Sequence, residues 1–366
     1  MATNRRSANR AARAAIPILL VLGLQAAAPA GWRDYSDKDF SVRLPPAFLR
    51  FTEVSTVGGE TVANRYSSAI NPASLGWNEV PSKYGVVVAP YYSQIFFGEG
   101  QQLYLIGESA TWDTKLWGAV QPTLSQIRTN GARDSNGMTF DYSVDTAQVQ
   151  WGKRFGDFAF GGMFNYAHAT IDQDGFRRTQ FGQRQALTSV DVDSNADSYR
   201  WRVGGLYQPI EKLLVGMIFE YGFQPFQSET RTVTRLPIPG VPPIPGTMRQ
   251  TGVQQQFVFR PGVSYEYAPM STVYTDYQYG NFTSPRDELN DNRFTIGVEH
   301  RLFEWMLARF SPSIDDRGNV GLSAGMTFFL GESVTLDLGY QYNMLPEIQP
   351  EFGRANTIQA CLSVRF

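Results

Sequence analysis

VGLSAGMTFFL (residues 320–330) and SVTLDLGYQYN (residues 333–343) lie two residues apart and share one rhythm. In the first, Val320, Leu322, Ala324, Met326, Phe328 and Leu330 fall on one face, and Gly321, Ser323, Gly325 and Thr327 on the other. In the second, Val334, Leu336, Leu338, Tyr340 and Tyr342 oppose Thr335, Asp337, Gly339, Gln341 and Asn343. A period of two places alternate side chains on opposite faces of a strand. With only Gly331 and Glu332 between them, the two segments predict a tight antiparallel hairpin with one apolar and one polar face.

Working outward, the same alternation returns. Phe294, Ile296 and Val298 oppose Arg293, Thr295 and Glu299; Leu213, Val215, Met217, Phe219 and Tyr221 oppose Gly216, Glu220 and Gly222. Strands are expected near 84–97, 101–110, 114–128, 139–153, 157–170, 197–208, 213–224, 253–267, 270–281, 291–302, 304–311, 320–330, 333–343 and 355–366. Periodicity does not separate a soluble sandwich from a membrane barrel, but three features do. Tight connections such as 154–156 and 268–269 alternate with long ones such as 171–196 and 225–252, as short periplasmic turns alternate with outer loops. The strand count, about fourteen, is even. Aromatic residues close the apolar faces, as in Tyr221 and Phe223 or Tyr340 and Tyr342, where an interfacial girdle would sit. The expected fold is therefore all-β: a transmembrane antiparallel β-barrel over residues 83–366.

The ends of the chain agree. Ile358, Ala360, Leu362, Val364 and the final Phe366 alternate outward. Leu362, Val364 and Phe366 resemble the C-terminal signal read by barrel assembly machinery. At the other end, Arg5, Arg6, Arg10 and Arg13 precede the apolar run AAIPILLVLGL and an Ala28-x-Ala30 pattern, which predicts a signal peptide over residues 1–30. Export implies the outer membrane of a diderm bacterium. Past that peptide no apolar run approaches the length of a membrane helix. A net charge of −2 gives no reason to expect nucleic acid as a partner, and one cysteine, Cys361, excludes an internal disulfide framework. Residues 31–82 lack clear period, with Pro45-Pro46, Gly58-Gly59 and a short helix expected near Asn64 to Ile70.

GGETVANRYSSAINPASLGW (residues 58–77), RFTIGVEHRL (residues 293–302) and GLSAGMTFFLGESVTLDLGYQYNM (residues 321–344) make up 54 of the 366 residues, and the strand count joins them. On these the sequence resembles the FadL-type family of outer-membrane transporters for long-chain fatty acids and other hydrophobic compounds. The resemblance implies that residues 31–82 fold into the barrel as a hatch, with Asn71, Pro72 and Ala73 as its key element. It implies an inward kink and side opening in the third strand, where Gly118 and Pro122 sit. The chain is short for that family, and its first outer loop is almost absent.

No catalytic constellation emerges, so a non-enzyme is expected. His168 and His300 have no evident Ser or Asp partner in sequence, and both read as interface residues. Asp191, Asp193, Asn195 and Asp197 space oxygens like half a calcium loop, but Ala196 and Arg202 stand where that loop needs Gly and Glu; a solvated acidic loop is the better reading. No metal and no cofactor is expected. LPIPGVPPIPG (residues 236–246) reads as a stiff outer loop that cannot pair as a strand. Arg200, Arg202, Arg260 and Arg293 share the polar faces and are the candidates for receiving a ligand carboxylate, or for pairing with Glu220, Asp276 and Glu299. The first functional reading is a monomeric passive channel for a hydrophobic, fatty-acid-like molecule, embedded in outer-membrane lipid. A general porin for polar solutes and a secretion-associated barrel for protein cargo are the alternatives.

Overall fold

The period-two segments pair in chain order, and the first closes the circle against the last. The computed structural model describes residues 61–64, 70–77, 85–96, 102–114, 116–129, 132–133, 139–181, 184–236, 238–283, 288–343 and 354–366. The signal peptide, and the expected hatch apart from residues 61–64 and 70–77, lie outside the described residues, as does the connection at 97–101. In chain order the strands are β1 (Val86–Phe96), β2 (Gln102–Asp113), β3 (Ala119–Thr129), β4 (Ala132–Arg133), β5 (Thr139–Phe155), β6 (Phe158–Phe181), β7 (Arg184–Ile210), β8 (Leu213–Arg235) and β9 (Ile244–Ala268). They continue as β10 (Ser271–Thr283), β11 (Glu288–Phe303), β12 (Met306–Asp315), β13 (Val320–Phe329), β14 (Val334–Tyr342) and β15 (Asn356–Arg365). Neighbours in sequence pair antiparallel, β1 pairs with β15, and β3 pairs with β5, so fourteen strands form a closed barrel. The two-residue β4 is an appendage on β5.

The faces follow the sequence pattern. Met326, Leu338 and Leu362 are exposed on the outer wall, while Glu220 is buried inside and Arg260, Asp337 and Gln341 share the inner phase. Aromatic rings that pair across strands mark an upper and a lower level, with further pairs such as Phe219 and Phe259 between them. One level holds Tyr166, Tyr199 and Phe223; the other holds Phe158 stacked on Tyr207. Eight residues separate the levels on β6, roughly 20 Å along the barrel axis at ordinary rise and tilt, close to the height of an outer-membrane apolar band.

Two expectations need correction. Residues 171–181, 184–196, 225–235 and 244–252 are strand rather than loop. β6, β7, β8 and β9 run 24, 27, 23 and 25 residues and carry two paired hairpins far past the upper aromatic level. Only the end of the proline-rich stretch joins in, where Ile244, Pro245 and Gly246 pair with Thr234, Val233 and Thr232, and residues 238–243 are loop as expected. Proline is tolerated there because β10 leaves the other side of β9 at Thr283, opposite Gln255, and the rest of β9 is an edge. A short helix, α1, spans Ala73–Trp77, and the helix expected near Asn64 to Ile70 falls on residues that lie mostly outside those described.

Candidate functional site

The chain opens α1 with an Asn-Pro pair. The Asn71 side-chain oxygen accepts from the Ala73 N–H at 3.1 Å, and Pro72 takes the first helical position, where its missing N–H costs nothing. The Asn71 amide nitrogen donates to the Val62 carbonyl at 2.8 Å and to the Gly205 carbonyl of β7 at 3.1 Å. The Ser74 hydroxyl donates to the Asn64 carbonyl at 2.5 Å, so residues 61–64 and 70–77 form one knot. Asn71 and Ala73 are completely buried. The knot lies against the inner face of β5, β6 and β7 near their tight-turn ends.

The wall makes room by omitting side chains. A Cβ on Gly152 or Gly161 would come under 3.0 Å from Pro72; on Gly204 it would strike Asn71, and on Gly216 and Gly262 Val62. Gly152 pairs with Gly161 and Gly161 with Gly204; one step along, Gly216 pairs with Gly262. Five glycines on five consecutive strands thus form a seat in the inner wall. Glycine is needed here for the close approach of one backbone to another.

Charged side chains grip the same segment. Asp276 accepts from the Thr61 hydroxyl at 2.9 Å and the Val62 N–H at 3.1 Å, and also from Arg260 at 3.0 Å. Arg202 donates to the Ile70 carbonyl at 2.9 Å and makes a two-nitrogen contact with Glu220, through Nε at 2.7 Å. Arg200 lies 3.7 Å from Glu220, and Arg293 3.6 Å from Asp291. Arg309 joins Glu299 at 2.5 Å and Asp337 at 3.4 Å. All four arginines nominated by the sequence therefore face the lumen, each beside a protein carboxylate. These pairs hold five arginines and five acids, leaving no excess positive charge to attract an anion.

The opposite wall is built differently. Above the knot, the buried inner side chains of β1, β2, β3, β5 and β6 include Tyr91, Ile95, Leu103, Leu105, Ile127, Val144, Ala169 and Ile171, which cluster together. Their polar neighbours are Ser93, Ser125, Thr146, Gln148 and Asn165; among the described residues, no charged side chain is buried on these strands. Pro122 lies in β3, and the β2–β3 register is interrupted beside it, resuming at Ser109 with Thr123 on one side and at Trp112 with Val120 on the other. The Gln121 amide donates across this gap to the Thr111 hydroxyl at 2.8 Å. Gly118 is not mid-strand as expected. It sits in the turn before β3 with φ of 93°, where an added Cβ would strike the Gly152 carbonyl. Leu362 and Phe366 are exposed, and Val364 shares their outward phase.

Sequence reasoning missed the glycine seat and the grip of Asp276. Glycines in strands were visible, but nothing in period two distinguishes a glycine that seats a backbone from one that lines open lumen. His168, for which no Asp partner is evident in sequence, bonds Asp197 at 2.9 Å across β6 and β7. Among the described residues no group of three metal-ligating side chains gathers.

No family model matches this sequence, and no curated protein matches it. Solved structures do share the fold. A structure titled CymD monoaromatic hydrocarbon channel aligns with a TM-score of 0.60 at 12% identity, over 86% of this chain and 98% of its own. The toluene transporter TodX of P. putida aligns at 0.52 and 10% identity, over 82% and 94%. A Pseudomonas aeruginosa FadL homologue aligns at 0.55 and 9% identity, over 85% and 96%. At such identities the likeness is one of fold.

Proposed function

We propose that this chain is an outer-membrane channel for hydrophobic compounds. In this reading residues 31–77 form its hatch, Asn71, Pro72 and Ala73 the closing element, and Leu362, Val364 and Phe366 its assembly signal. The observation that carries the reading is the division of the lumen: a charged half that grips the N-terminal segment, and an uncharged, largely apolar half left beside it. A porin for polar solutes has no use for a lumen wall of Leu, Ile and Val. Proteins of like fold are described as a monoaromatic hydrocarbon channel and a toluene transporter, which supports the same reading.

The register gap at Pro122 supplies a side exit in this proposal. Proline has no N–H to give the ladder, and an unpaired stretch is where a wall parts most easily. A solute leaving there enters lipid directly and avoids the cost of exposing apolar area to water, roughly 25 cal/mol per Å². Uptake tests this in cells lacking their own transporters. A labelled alkane should enter, and glucose should not. Removing residues 31–68 should admit glucose. A disulfide across the gap, from Ala110→Cys with Pro122→Cys, should stop alkane uptake until it is reduced. Equal passage of glucose and alkane through the intact protein would establish the porin instead.

A further inference from the structure

We propose that the inner face shared by β1, β2, β3 and β5 binds an uncharged, mostly apolar molecule carrying one hydrogen-bonding group, a hydroxyl or a carbonyl, which meets the Thr146 hydroxyl. This rests on the channel reading above and narrows its substrate class.

The wall is layered. Leu105, Ile127 and Val144 stand side by side on β2, β3 and β5, and they form an apolar shelf. One step toward the tight turns, Gly107, Ser125 and Thr146 stand side by side in the same way. The Tyr91 ring crosses over Gly107, where a Cβ would come under 3.0 Å from the ring and its hydroxyl. Thr146 is 6% exposed, and its hydroxyl oxygen has no hydrogen-bond partner among the described residues. Ser93, fully buried beside Leu105, is in the same state. Buried hydroxyls are nearly always satisfied, so such groups facing a lumen point to something that satisfies them. A hydroxyl both donates and accepts, so an alcohol or a carbonyl completes it equally well.

Charge excludes the ionised alternative. A carboxylate on this shelf would leave water for a surface of Leu, Ile and Val, and the lumen arginines stand on other strands beside five acids of their own. A fully polar solute would desolvate against the same shelf without return. What fits is an apolar body with one neutral polar group.

Equilibrium binding to the full chain, purified in detergent, tests this with 1-decanol, decane and decanoate at mildly alkaline pH. Decanol should bind at least about tenfold more tightly than decanoate. Thr146→Val, nearly isosteric, should weaken decanol by roughly fivefold to tenfold, the worth of one neutral hydrogen bond, and leave decane unchanged. Thr146→Lys should reverse the preference toward decanoate. Decanoate binding as tightly as decanol to the unaltered protein overturns the proposal. So does Thr146→Val weakening decane and decanol alike. If neither variant assembles, the decanol-to-decanoate ratio of the unaltered protein still decides. Flux into reconstituted vesicles separates the two readings. Selective binding without flux keeps the site and removes the channel; flux without decanol preference keeps the channel and removes the site.

Discussion

The two halves of the lumen wall are made by the same strand geometry and solve opposite problems. On β7 to β14 five arginines and five acids pair with one another among uncharged inner side chains, and two of these charged groups hold the N-terminal segment, Arg202 at Ile70 and Asp276 at Thr61 and Val62. On β1 to β6, above that segment, they are uncharged and close on one another. Buried charge needs dense matching to survive, and matched charge has little left for a diffusing guest. Uncharged wall needs no such matching and is free to meet one. The difference teaches that a polar lumen phase, read along a strand, says nothing about which half holds the chain's own segment and which half meets a ligand.

The sharpest way to break this contrast is Glu220→Ala. It removes the carboxylate that Arg200 and Arg202 share, and should cost about 3–5 kcal/mol in urea unfolding of the folded barrel. If Thr146→Val on the other wall costs as much, the halves do not differ as described. Leu338→Arg tests the wall through its thickness. Leu338 faces outward at mid-strand, and the change should cost about 2–4 kcal/mol of assembly in lipid, while Gln341→Arg on the inner phase should cost far less. Equal tolerance would reverse the facing. Gly161→Val presses on Pro72 from the seat and should cost about 1–3 kcal/mol; its sharper readout is a rise in leak conductance. An unchanged conductance would mean that the knot does not depend on its seat.

The smallest expected effect lies outside the membrane. The Asp172 carboxyl is held above the usual carboxylate range, first by partial burial and then by Asp193, Asp141 and Asp191. Its contribution therefore favours the folded hairpins at low pH and is lost as pH rises through its raised value. Glu229 has the opposite sign. Hydrogen bonds from Arg231 and Arg249 hold its carboxyl below the usual range, and that contribution is lost as pH falls through the lowered value. Asp193→Asn should move the Asp172 titration back toward the ordinary range, followed by carboxyl carbon NMR. No movement would show that Asp193 takes no part in it.

The strands inside the membrane were readable because lipid demands an apolar outer face and the lumen tolerates a polar inner one. Val320 to Phe329 and Val334 to Tyr342 are that pattern in full. β6 to β9 lost it at their upper halves for a physical reason. Past Tyr166 and Tyr199 the outside is water, so the phase inverts. Val190 and Val192 turn inward while Asp191 and Asp193 turn outward. Alternation persists there, but an inverted phase resembles broken periodicity, so the segment reads as loop. The arginines were readable as lumen residues from their phase. The attachment of Arg202 to Ile70 and of Asp276 to Thr61 and Val62 was not, because contacts 132 to 215 positions apart leave no local trace.

The four long strands make the outer rim lopsided. β7 continues for 15 residues beyond Tyr199, roughly 35–40 Å of height at ordinary rise and tilt, while β14 stops at its aromatic level. Among the described residues the strands therefore rise highest along the arc of β6 to β9, and in the plane of the membrane the molecule has a front and a back.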